Sequence, residues 1–348
     1  MIGTIERIAL QICSEEGWYD LARLIRACTD RAIMLFFVVG ARRIGKTLFF
    51  QRLACQLFIQ TGWQTMWMRN KKVELIEDGF TSSFLNACQS RGWCPAEWIC
   101  RPDGVWTSAN KEEAEQVFMF QSISTFSNRR GNETPKVLML VLDEFMGEDR
   151  KYPPTPAKAL MSISKTVLSG REDARCFCLS NFISSANPYF VGFRIYPKEG
   201  KDVSVFEDKG IAIEICRGYK CAIEQDNPWN KVYAAGGYQD YAEADEDTLI
   251  QLVRRPPKGA QPINYFILDD GILYRPLVKD NLVFYEEYHG KTNGQAVYAT
   301  SLQEAGQGIY LLPNVLKNDI KELVAGNAAR FATPNVMFAI LHTLYETV

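Results

Sequence analysis

The stretch that decides the fold is residues 33–47, Ile-Met-Leu-Phe-Phe-Val-Val-Gly-Ala-Arg-Arg-Ile-Gly-Lys-Thr. Its first part is an unbroken apolar run, which is typical of a strand buried inside a sheet. Its second part, from Gly40 to Thr47, matches the pattern G-x-x-x-x-G-K-[ST]. In that pattern, glycines let backbone N–H groups curl around a polyphosphate at the N-terminus of the following helix. The stretch therefore predicts a nucleotide-binding loop between a strand and a helix.

The side chains of this loop suit a nucleoside triphosphate. Lys46 can reach the β- and γ-phosphates, and the hydroxyl group of Thr47 can coordinate Mg²⁺. Arg42 or Arg43 can stabilise the negative charge that phosphoryl transfer leaves. We therefore predict ATP and Mg²⁺ as cofactors. The predicted nucleotide ligands of the loop are Gly40, Ala41, Arg42, Arg43, Ile44, Gly45, Lys46 and Thr47.

Two further apolar runs end in polar residues that suit the same chemistry. One run ends in Asp143 and Glu144, and the other ends in Ser180 and Asn181. Asp143 is predicted to hold Mg²⁺ together with Thr47, and Glu144 to orient and deprotonate the attacking water. Asn181 is predicted either to sense the γ-phosphate or to cap a turn. Because ligands of parallel sheets bind at the carboxyl ends of the strands, we expect these residues near the loop.

The composition narrows the class of protein. The chain has 348 residues, of which 47% are apolar and 23% charged, and its formal net charge is −2. The length favours two domains, and the charge excludes a uniformly basic coat while allowing a local basic groove. No run reaches the about 18 apolar residues of a membrane span and no secretory signal is visible, so no membrane partner is expected. Ten cysteines without a C-x-x-C pair, beside two histidines, argue against zinc and favour a reducing cytoplasm.

Apolar strands that alternate with helices predict a parallel α/β sheet around the loop. Residues 91–135 show no clear pattern. The other predictions before residue 200 are two helices within 4–28, helices at 46–60, 73–90 and 157–169, and strands at 33–39, 63–69, 136–142 and 175–179.

After about residue 200 the pattern changes to short alternating runs separated by turn residues. We therefore predict an ATPase domain with N-terminal helices over residues 1–200, a linker and loop region over 201–262, and a smaller α+β domain over 263–348. The predicted strands after residue 200 are 211–215, 264–268, 272–274, 282–285, 295–299 and 309–312, and the predicted helices are 314–325 and 335–347.

Together, these motifs resemble those of the DNA-packaging ATPases of small podophages, the encapsidation proteins or terminase-like motors of the protein-primed, picovirus type. The resemblance rests on the loop, on Val-Leu-Asp-Glu-Phe at 141–145, on Arg-Cys-Phe-Cys-Leu-Ser-Asn at 175–181 and on Asn-Pro-Tyr-Phe at 187–190. It is strongest over residues 33–75 and 136–195.

The resemblance implies a fold, an activity and partners. The fold would be an ASCE-type P-loop ATPase domain followed by an RNase H-like domain that has lost nuclease activity and grips DNA. The activity would be ATP-driven translocation of double-stranded DNA into a preformed procapsid. A homo-oligomeric, pentameric ring on the portal would perform it, in the cytoplasm of an infected bacterial host. An RNA adapter is a further candidate partner that the resemblance leaves open.

The resemblance also implies roles for single residues. A trans-acting arginine of the family falls at Ser169 in this chain, so Arg171 or Arg175 is the candidate for that role. Other residues match family positions: Lys46, Thr47, Asp143 and Glu144 in the nucleotide and catalytic set, Arg42 in the loop, Asn181 in coupling, and Lys72 as a lysine after the second strand. The predicted catalytic residues are therefore Glu144, Lys46, Arg42, Arg171 and Asn181, with Lys72 as a further nucleotide ligand.

Two other functions fit the same motifs. A regulatory or signalling P-loop NTPase would use the nucleotide as a switch, and a nuclease-active large terminase would cut DNA with clustered carboxylates and two metal ions. The carboxylate candidate is Asp269-Asp270-Gly271, but an Asp-Gly pair between two apolar runs is typical of a hairpin turn. A motor would grip DNA phosphates through cations, for which the candidates are Lys198, Lys201, Arg254, Arg255 and Lys258.

Overall fold

The computed structural model describes residues 3–12, 17–72, 75, 79–110, 112–129, 136–146, 152–153, 155–181, 186–198, 200–219, 252–325 and 328–345. The chain divides into two compact units. The first consists of Met1–Pro153, Ala159–Ile183 and Pro197–Ala244, and the second of Pro154–Lys158, Ser184–Tyr196 and Asp245–Val348. Within the described ranges, no helix combines the length and the apolar character needed to cross a membrane.

The first unit is built around a mixed sheet. Its helices are α1 (Thr4–Gln11), α2 (Ala22–Cys28), α3 (Lys46–Thr61) and α4 (Phe80–Gln89), and α5 (Pro156–Leu168) follows later in the chain. Its strands are β1 (Leu35–Gly40), β2 (Gln64–Arg69), β3 (Ile99–Arg101), β4 (Gly104–Trp106), β5 (Gln116–Ser122), β6 (Val137–Asp143), β7 (Arg175–Asn181), β8 (Val203–Phe206) and β9 (Ile211–Cys216).

The strand order of this sheet is β3-β4-β5-β2-β6-β7-β1-β9-β8. Six adjacent strands of this order are parallel to one another, namely β5, β2, β6, β7, β1 and β9. The remaining strands, β3, β4 and β8, are antiparallel to their neighbours. Every residue of β1 and β6 is buried, which explains why both strands read as continuous apolar runs. The predicted parallel α/β sheet is confirmed, and β7 lies between the strand that ends in the loop and the strand that ends in Asp143.

The position of α3 on this sheet is set by aromatic packing. Phe50 of α3 contacts Phe177 of β7 at a ring distance of 4.8 Å, and Phe177 stacks on Phe36 of β1 at 5.0 Å. Phe50 is fully buried. This contact holds the N-terminus of α3 at the carboxyl ends of β1 and β7, where the predicted site lies.

The structure corrects the predicted linker at 201–262, because β8 and β9 complete the first sheet. β9 is buried at all six positions and pairs with β1 along its whole length, from Leu35↔Ile211 to Gly40↔Cys216. Glu214 interrupts the apolar run of β9. The resulting pattern is typical of a half-exposed strand, so the sequence places this strand outside the ATPase domain. Residues 220–251 of the predicted linker lie outside the described ranges.

Two further predictions differ from the structure. The pattern-free residues 91–135 contain β3, β4 and β5, which extend the sheet beyond β2. The predicted helix at 73–90 is interrupted at Gly79, whose φ is +60°, so that α4 begins at Phe80, whereas Leu75 before the interruption is also helical. Residues 73, 74 and 76–78 of that prediction are outside the described part of the chain.

The second unit contains a smaller sheet in the order β15-β14-β11-β12-β13-β16, with β10 paired to β12. Strands β11, β12 and β13 are antiparallel, whereas β14 joins β11 and β15 joins β14 in parallel. This is the strand order of RNase H-like folds, as the resemblance predicts. The elements are α6 (Pro188–Phe193), β10 (Gln261–Pro262), β11 (Tyr265–Asp269), β12 (Ile272–Lys279), β13 (Leu282–Tyr288), β14 (Ala296–Ala299), β15 (Ile309–Leu311), α7 (Asn314–Ala325), β16 (Ala329–Phe331) and α8 (Pro334–Tyr345).

The Asp-Gly pair of this unit forms a turn. Asp269 ends β11 and pairs with Ile272, the first residue of β12. Between them, Asp270 and Gly271 have φ values of 49° and 74°, as in a two-residue hairpin of type I′. The predicted hairpin turn is confirmed.

Candidate nucleotide-binding site

The loop between β1 and α3 has the backbone shape of a phosphate cradle. At Gly40, a Cβ atom would lie 2.5 Å from the Cβ of Cys216, so the close approach of β9 requires glycine. Gly45 has a φ of +94°, a left-handed conformation that glycine adopts without strain. Lys46 directly follows as the first residue of α3, so the N–H groups of the first helical turn face the loop.

The ammonium group of Lys46 is held inside the loop. It donates hydrogen bonds to the carbonyl oxygens of Gly40 at 3.0 Å and Ala41 at 2.6 Å, and the residue is only 7% exposed. A buried ammonium group needs such acceptors, and phosphate oxygens would be stronger ones. The other loop residues are Ala41 and Ile44, which are buried, and Arg42 and Arg43, which are exposed.

Thr47 and Asp143 form an oxygen pair beside the loop. The Thr47 hydroxyl group donates to Oδ1 of Asp143 at 3.3 Å, and Asp143 is 3% exposed. Burial raises the pKa of the Asp143 carboxyl group above its ordinary value, and the positive charge of Arg69 acts in the opposite direction. Mg²⁺ prefers hard oxygen ligands, and its bond lengths place neighbouring ligands about 2.9 Å apart. The pair therefore fits a Mg²⁺ ion.

Two residues at the end of β2, Arg69 and Asn70, hold Asp143 and Glu144 in place, although the sequence does not single them out. The guanidinium group of Arg69 forms ion pairs with Oδ2 of Asp143 at 3.2 Å and with Oε2 of Glu144. The side-chain amide of Asn70 donates to the backbone carbonyl oxygens of Glu144 at 3.3 Å and Phe145 at 3.0 Å. Because β2 pairs with β6 in parallel, the residues after both strands meet, but only the pairing reveals this.

Glu144 and Asn181 complete the carboxyl edge of the sheet. The side chain of Glu144 is 56% exposed, and its backbone has a φ of 53°, which is uncommon outside glycine. Asn181, the last residue of β7, is in register with Gly40 at the start of the loop. The sheet therefore places a polar amide directly beside the proposed phosphate cradle.

These residues line one open cleft of about 1040 Å³. The predicted residues that line it are Arg42, Arg43, Gly45, Lys46, Thr47, Asp143, Glu144 and Asn181. Ser180, which ends the same apolar run as Asn181, also lines it. The residues that sequence reasoning missed are Trp18 and Tyr19 before α2, Leu48, Phe49 and Arg52 on α3, and Arg91 and Trp93 after α4. Arg91 and Trp93 come from the segment whose sequence shows no pattern, so no local signal could have found them.

Besides Gly40, Ala41 and Ile44 of the loop, three predicted residues do not line this cleft. Lys72 is exposed, and Arg171 donates to the carbonyl oxygen of Val167 with its guanidinium group 5.9 Å from the ring of Trp63. Arg175 is held by an ion pair with Glu6 at 2.7 Å. A fixed structural contact makes Arg175 the weaker candidate for a trans-acting arginine. The roles of Lys72 and Arg171 stay predictions.

The strand order, with β7 between β1 and β6, and the loop at the end of β1 define the class of protein. The first unit has the fold of an ASCE-type P-loop ATPase domain, followed by a second, RNase H-like unit. A family model for the Podovirus DNA encapsidation protein (Gp16) matches residues 18–242, more than half of the chain. The chain therefore belongs to this family.

Relatives with known descriptions agree with this assignment. The DNA packaging protein of Bacillus phage PZA is 30% identical over 182 residues, which cover 52% of this chain and 52% of that protein. The DNA packaging protein of Bacillus phage B103 is 32% identical over 192 residues, 52% of this chain and 54% of the relative. The chain thus spans about half the length of the curated relatives it matches.

The fold of nearly the whole chain is also found in a solved structure. It belongs to the bacteriophage Phi-29 viral genome packaging motor assembly and has a TM-score of 0.63 at 23% sequence identity. The match covers 94% of this chain and 100% of that one. At this identity the likeness shows the fold, and it includes both units.

Proposed function

We propose that this chain is the ATP-hydrolysing subunit of a DNA-packaging motor, which drives double-stranded viral DNA into a preformed procapsid through its portal. The observation that carries the proposal is that the ends of β1, β6 and β7 bring Lys46, Thr47, Asp143 and Glu144 to one cleft. Membership of the DNA encapsidation family and the descriptions of the relatives as DNA packaging proteins support the substrate.

The chemistry follows from the residues in the cleft. The first turn of α3 and the loop N–H groups bind the phosphates, and Lys46 exchanges its loop carbonyl partners for phosphate oxygens. Glu144 orients and deprotonates the attacking water, because its exposed carboxylate is the one that can reach solvent in the cleft. Mg²⁺, held by Thr47 and Asp143, would neutralise phosphate charge.

Arg42 and Asn181 supply the remaining roles. Arg42 is exposed in the loop and lines the cleft, where it can stabilise charge on the transferred phosphoryl group. Asn181, in register with Gly40, is proposed to sense the γ-phosphate and to pass its presence along β7. Arg171 is proposed to act on the nucleotide of a neighbouring subunit.

We further propose a pentameric ring that works on the portal in the cytoplasm of the infected host, with an RNA adapter as a further candidate partner. The grip on DNA is proposed to use exposed cations, since phosphate contacts are independent of sequence. Lys201, Arg254, Arg255 and Lys258 are exposed. Lys198 is a weaker candidate, because its ammonium group donates to the Val205 carbonyl oxygen at 3.3 Å and lies 5.6 Å from the Phe206 ring.

The contacts of the Asp-Gly turn favour a motor over a nuclease-active terminase. The carboxylate of Asp269 is buried and accepts a hydrogen bond from the hydroxyl group of Thr300, at the end of β14. Asp270 forms an ion pair with Arg194 at 3.3 Å. Within the described ranges, no group of three or more histidine, cysteine or acidic residues has the arrangement of a metal site. Plasmid nicking that requires Mg²⁺ and is lost in Asp269→Asn would support the nuclease instead.

The decisive experiment is Glu144→Gln, which removes the proposed base without changing the size of the side chain. We expect ATP binding to persist and ATP hydrolysis to fall by about 10²-fold or more. DNA packaging into procapsids should stop. Glu113→Gln, at an exposed position outside the cleft, is the matched control and should leave both activities unchanged.

This experiment also separates the motor from a regulatory switch. A switch bound to ATP would remain competent for its partner in Glu144→Gln, whereas a motor would bind ATP and stall. Normal packaging by Glu144→Gln, or by Lys46→Ala, would contradict the proposed function.

A further inference from the structure

The cleft extends beyond the space that surrounds the phosphate-binding residues. Arg52 lines it from a position six residues after Lys46 on α3, a distance of about 9 Å along the helix axis. The thiol of Cys55, one helical turn further, contacts the thiols of Cys88 and Cys94. Trp93 precedes Cys94 directly and also lines the cleft. The segment after α4 is therefore held against α3 at Cys55, nine residues after Lys46.

That segment, residues 88–94, is fixed by hydrogen bonds and is named here the tryptophan loop. The N–H group of Trp93 donates to the carbonyl oxygen of Cys88 at 3.0 Å, and that of Gly92 to Gln89 at 2.9 Å. Gly92 has a φ of 65°, which allows this tight turn. The side-chain amide of Gln89 donates to three carbonyl oxygens beyond the loop, those of Pro95, Ala96 and Trp98. The loop is thus shaped before any ligand arrives.

The chemistry of this end of the cleft differs from that of the phosphate end. Trp93 and Arg91 both line the cleft, as does Arg52, whose guanidinium group donates to the carbonyl oxygen of Ile12 at 3.4 Å. Arg91 lies over the ring of Trp93 at 5.4 Å. Trp18, in contrast, lies at the phosphate end of the cleft, because a Cβ atom on Gly45 would be 3.4 Å from its ring. Aromatic faces bind flat nucleobases by stacking, and arginine donates to their acceptor edges.

We propose that the tryptophan loop forms the nucleobase subsite of the cleft, with Trp93 as the stacking surface for the purine ring of ATP and Arg91 beside it as a donor to the base or ribose. This inference rests on the proposed function, because it assumes that a triphosphate occupies the loop after β1. It assigns a role in nucleobase specificity to Trp93, a residue outside the nucleotide-binding motifs. Purine triphosphates bind more tightly than pyrimidine triphosphates, since their larger rings stack over more area.

The test compares two ligands that differ only in the presence of a nucleoside. Binding of ATP and of inorganic tripolyphosphate, each with Mg²⁺, is measured by calorimetry on the parent chain, Trp93→Ala and Trp93→Phe. We expect Trp93→Ala to weaken ATP binding by about tenfold and to leave tripolyphosphate binding unchanged. Trp93→Phe should restore most of the ATP affinity, because phenylalanine also stacks.

A matched control exists on the same unit. Trp106 also carries an arginine over its ring, with Arg101 at 4.5 Å, but it does not line the cleft. Trp106→Ala should therefore leave both affinities unchanged. If Trp93→Ala does not fold, Arg91→Ala replaces it, since this side chain is exposed; ATP affinity alone should then fall by about threefold.

The possible outcomes decide between the inference and the proposed function. Equal losses for ATP and tripolyphosphate in Trp93→Ala, or no loss for either, would overturn the nucleobase subsite. The same holds if the parent chain binds CTP as tightly as ATP. If the parent chain binds neither ATP nor tripolyphosphate, the proposed function itself fails. Lys46→Ala should weaken both ligands and so reports on the phosphate end alone.

Discussion

At the scale of single residues, Arg69 is the contact that holds the proposed catalytic carboxylates together. Its side chain is 12% exposed, it pairs with both Asp143 and Glu144, and its guanidinium group lies 5.0 Å from the ring of Phe80. Removing the cationic partner of a buried carboxylate strongly destabilises the folded state. The nucleotide-free site is therefore expected to depend on this residue for stability.

The first prediction is that Arg69→Gln lowers the free energy of unfolding by about 3 kcal/mol without nucleotide, because Asp143 becomes an unpaired buried charge. Urea unfolding measures this change. The double variant Arg69→Gln/Asp143→Asn should recover part of the loss, since it removes that charge. Arg91→Gln, at an exposed position of the same cleft, should change stability by no more than about 0.5 kcal/mol. Equal losses in Arg69→Gln and Arg91→Gln would contradict the prediction.

Glu214 is a second residue with an unusual environment. It is fully buried on β9 and accepts hydrogen bonds from the hydroxyl groups of Tyr19 at 3.2 Å and Tyr219 at 3.3 Å, with Arg23 at 4.0 Å. Burial raises the pKa of its carboxyl group from 4.5 to about 7, although these three partners oppose the shift. Between pH 4.5 and 7 the folded chain therefore binds more protons at this position than the unfolded chain.

The second prediction concerns pH. Because the folded pKa is raised, the contribution of Glu214 to stability is greatest below pH 4.5 and falls as the pH rises toward 7. Glu214→Gln lacks this titration, so its stability relative to the parent chain should rise by up to about 3 kcal/mol between pH 4.5 and 8. Urea unfolding of both chains at several pH values measures the difference. A difference that stays constant with pH would show that Glu214 has an ordinary pKa.

At the scale of elements, the close pairing of β1 and β9 depends on a glycine. Gly40 and Cys216 are register partners, and a Cβ atom on Gly40 would overlap the Cβ of Cys216 at 2.5 Å. Gly40 also supplies a carbonyl oxygen that accepts a hydrogen bond from the ammonium group of Lys46. The shape of the phosphate loop thus depends on a strand that the sequence assigned to another region.

The third prediction is that Gly40→Ala lowers the free energy of unfolding by about 1–3 kcal/mol, because β9 must move away from β1. Cys216→Gly removes the opposing Cβ atom. In a double-mutant cycle, the combined variant should therefore be more stable than the sum of the two single changes by about 1 kcal/mol or more. Thermal and urea unfolding give the four free energies. Strictly additive changes would show that the two residues do not clash.

At the scale of the whole molecule, the nucleotide cleft lies in the first unit, and three of the proposed DNA-contacting cations lie in the second. The residues of the nucleotide cleft all belong to the first unit, whereas Arg254, Arg255 and Lys258 belong to the second. The formal net charge of the chain is −2, so any attraction to DNA must come from a local group of cations. Salt dependence is the direct measure of such a group.

The fourth prediction is that Arg254→Gln/Arg255→Gln weakens DNA binding by the full chain. The slope of log affinity against log salt should become shallower by up to about 2, because each phosphate contact contributes about 0.9. Lys291→Gln/Lys321→Gln removes the same charge from exposed positions of the same unit and should leave the slope unchanged. Identical slopes in both double variants would show that Arg254 and Arg255 do not contact DNA.

Features that depend on neighbours along the chain could be predicted from the sequence. Examples are the loop from Gly40 to Thr47, the buried strands and the Asp270-Gly271 hairpin. Turn conformation and strand burial each favour particular residue types at adjacent positions, so they produce local sequence patterns. These patterns were enough to predict the α/β sheet and its carboxyl-edge site.

Contacts between residues that are distant along the chain became visible only in the folded structure. Arg69 contacts Asp143 because β2 pairs with β6. The strand β9 pairs with β1, although Glu214 interrupts its apolar pattern. Trp93 lines the cleft because the thiol of the next residue, Cys94, packs on α3. Such pairings result from burial and strand register between segments far apart in the chain. No local sequence pattern predicts these contacts. The loop from Gly40 to Thr47 could therefore be predicted, whereas the residues that surround it in the cleft could not.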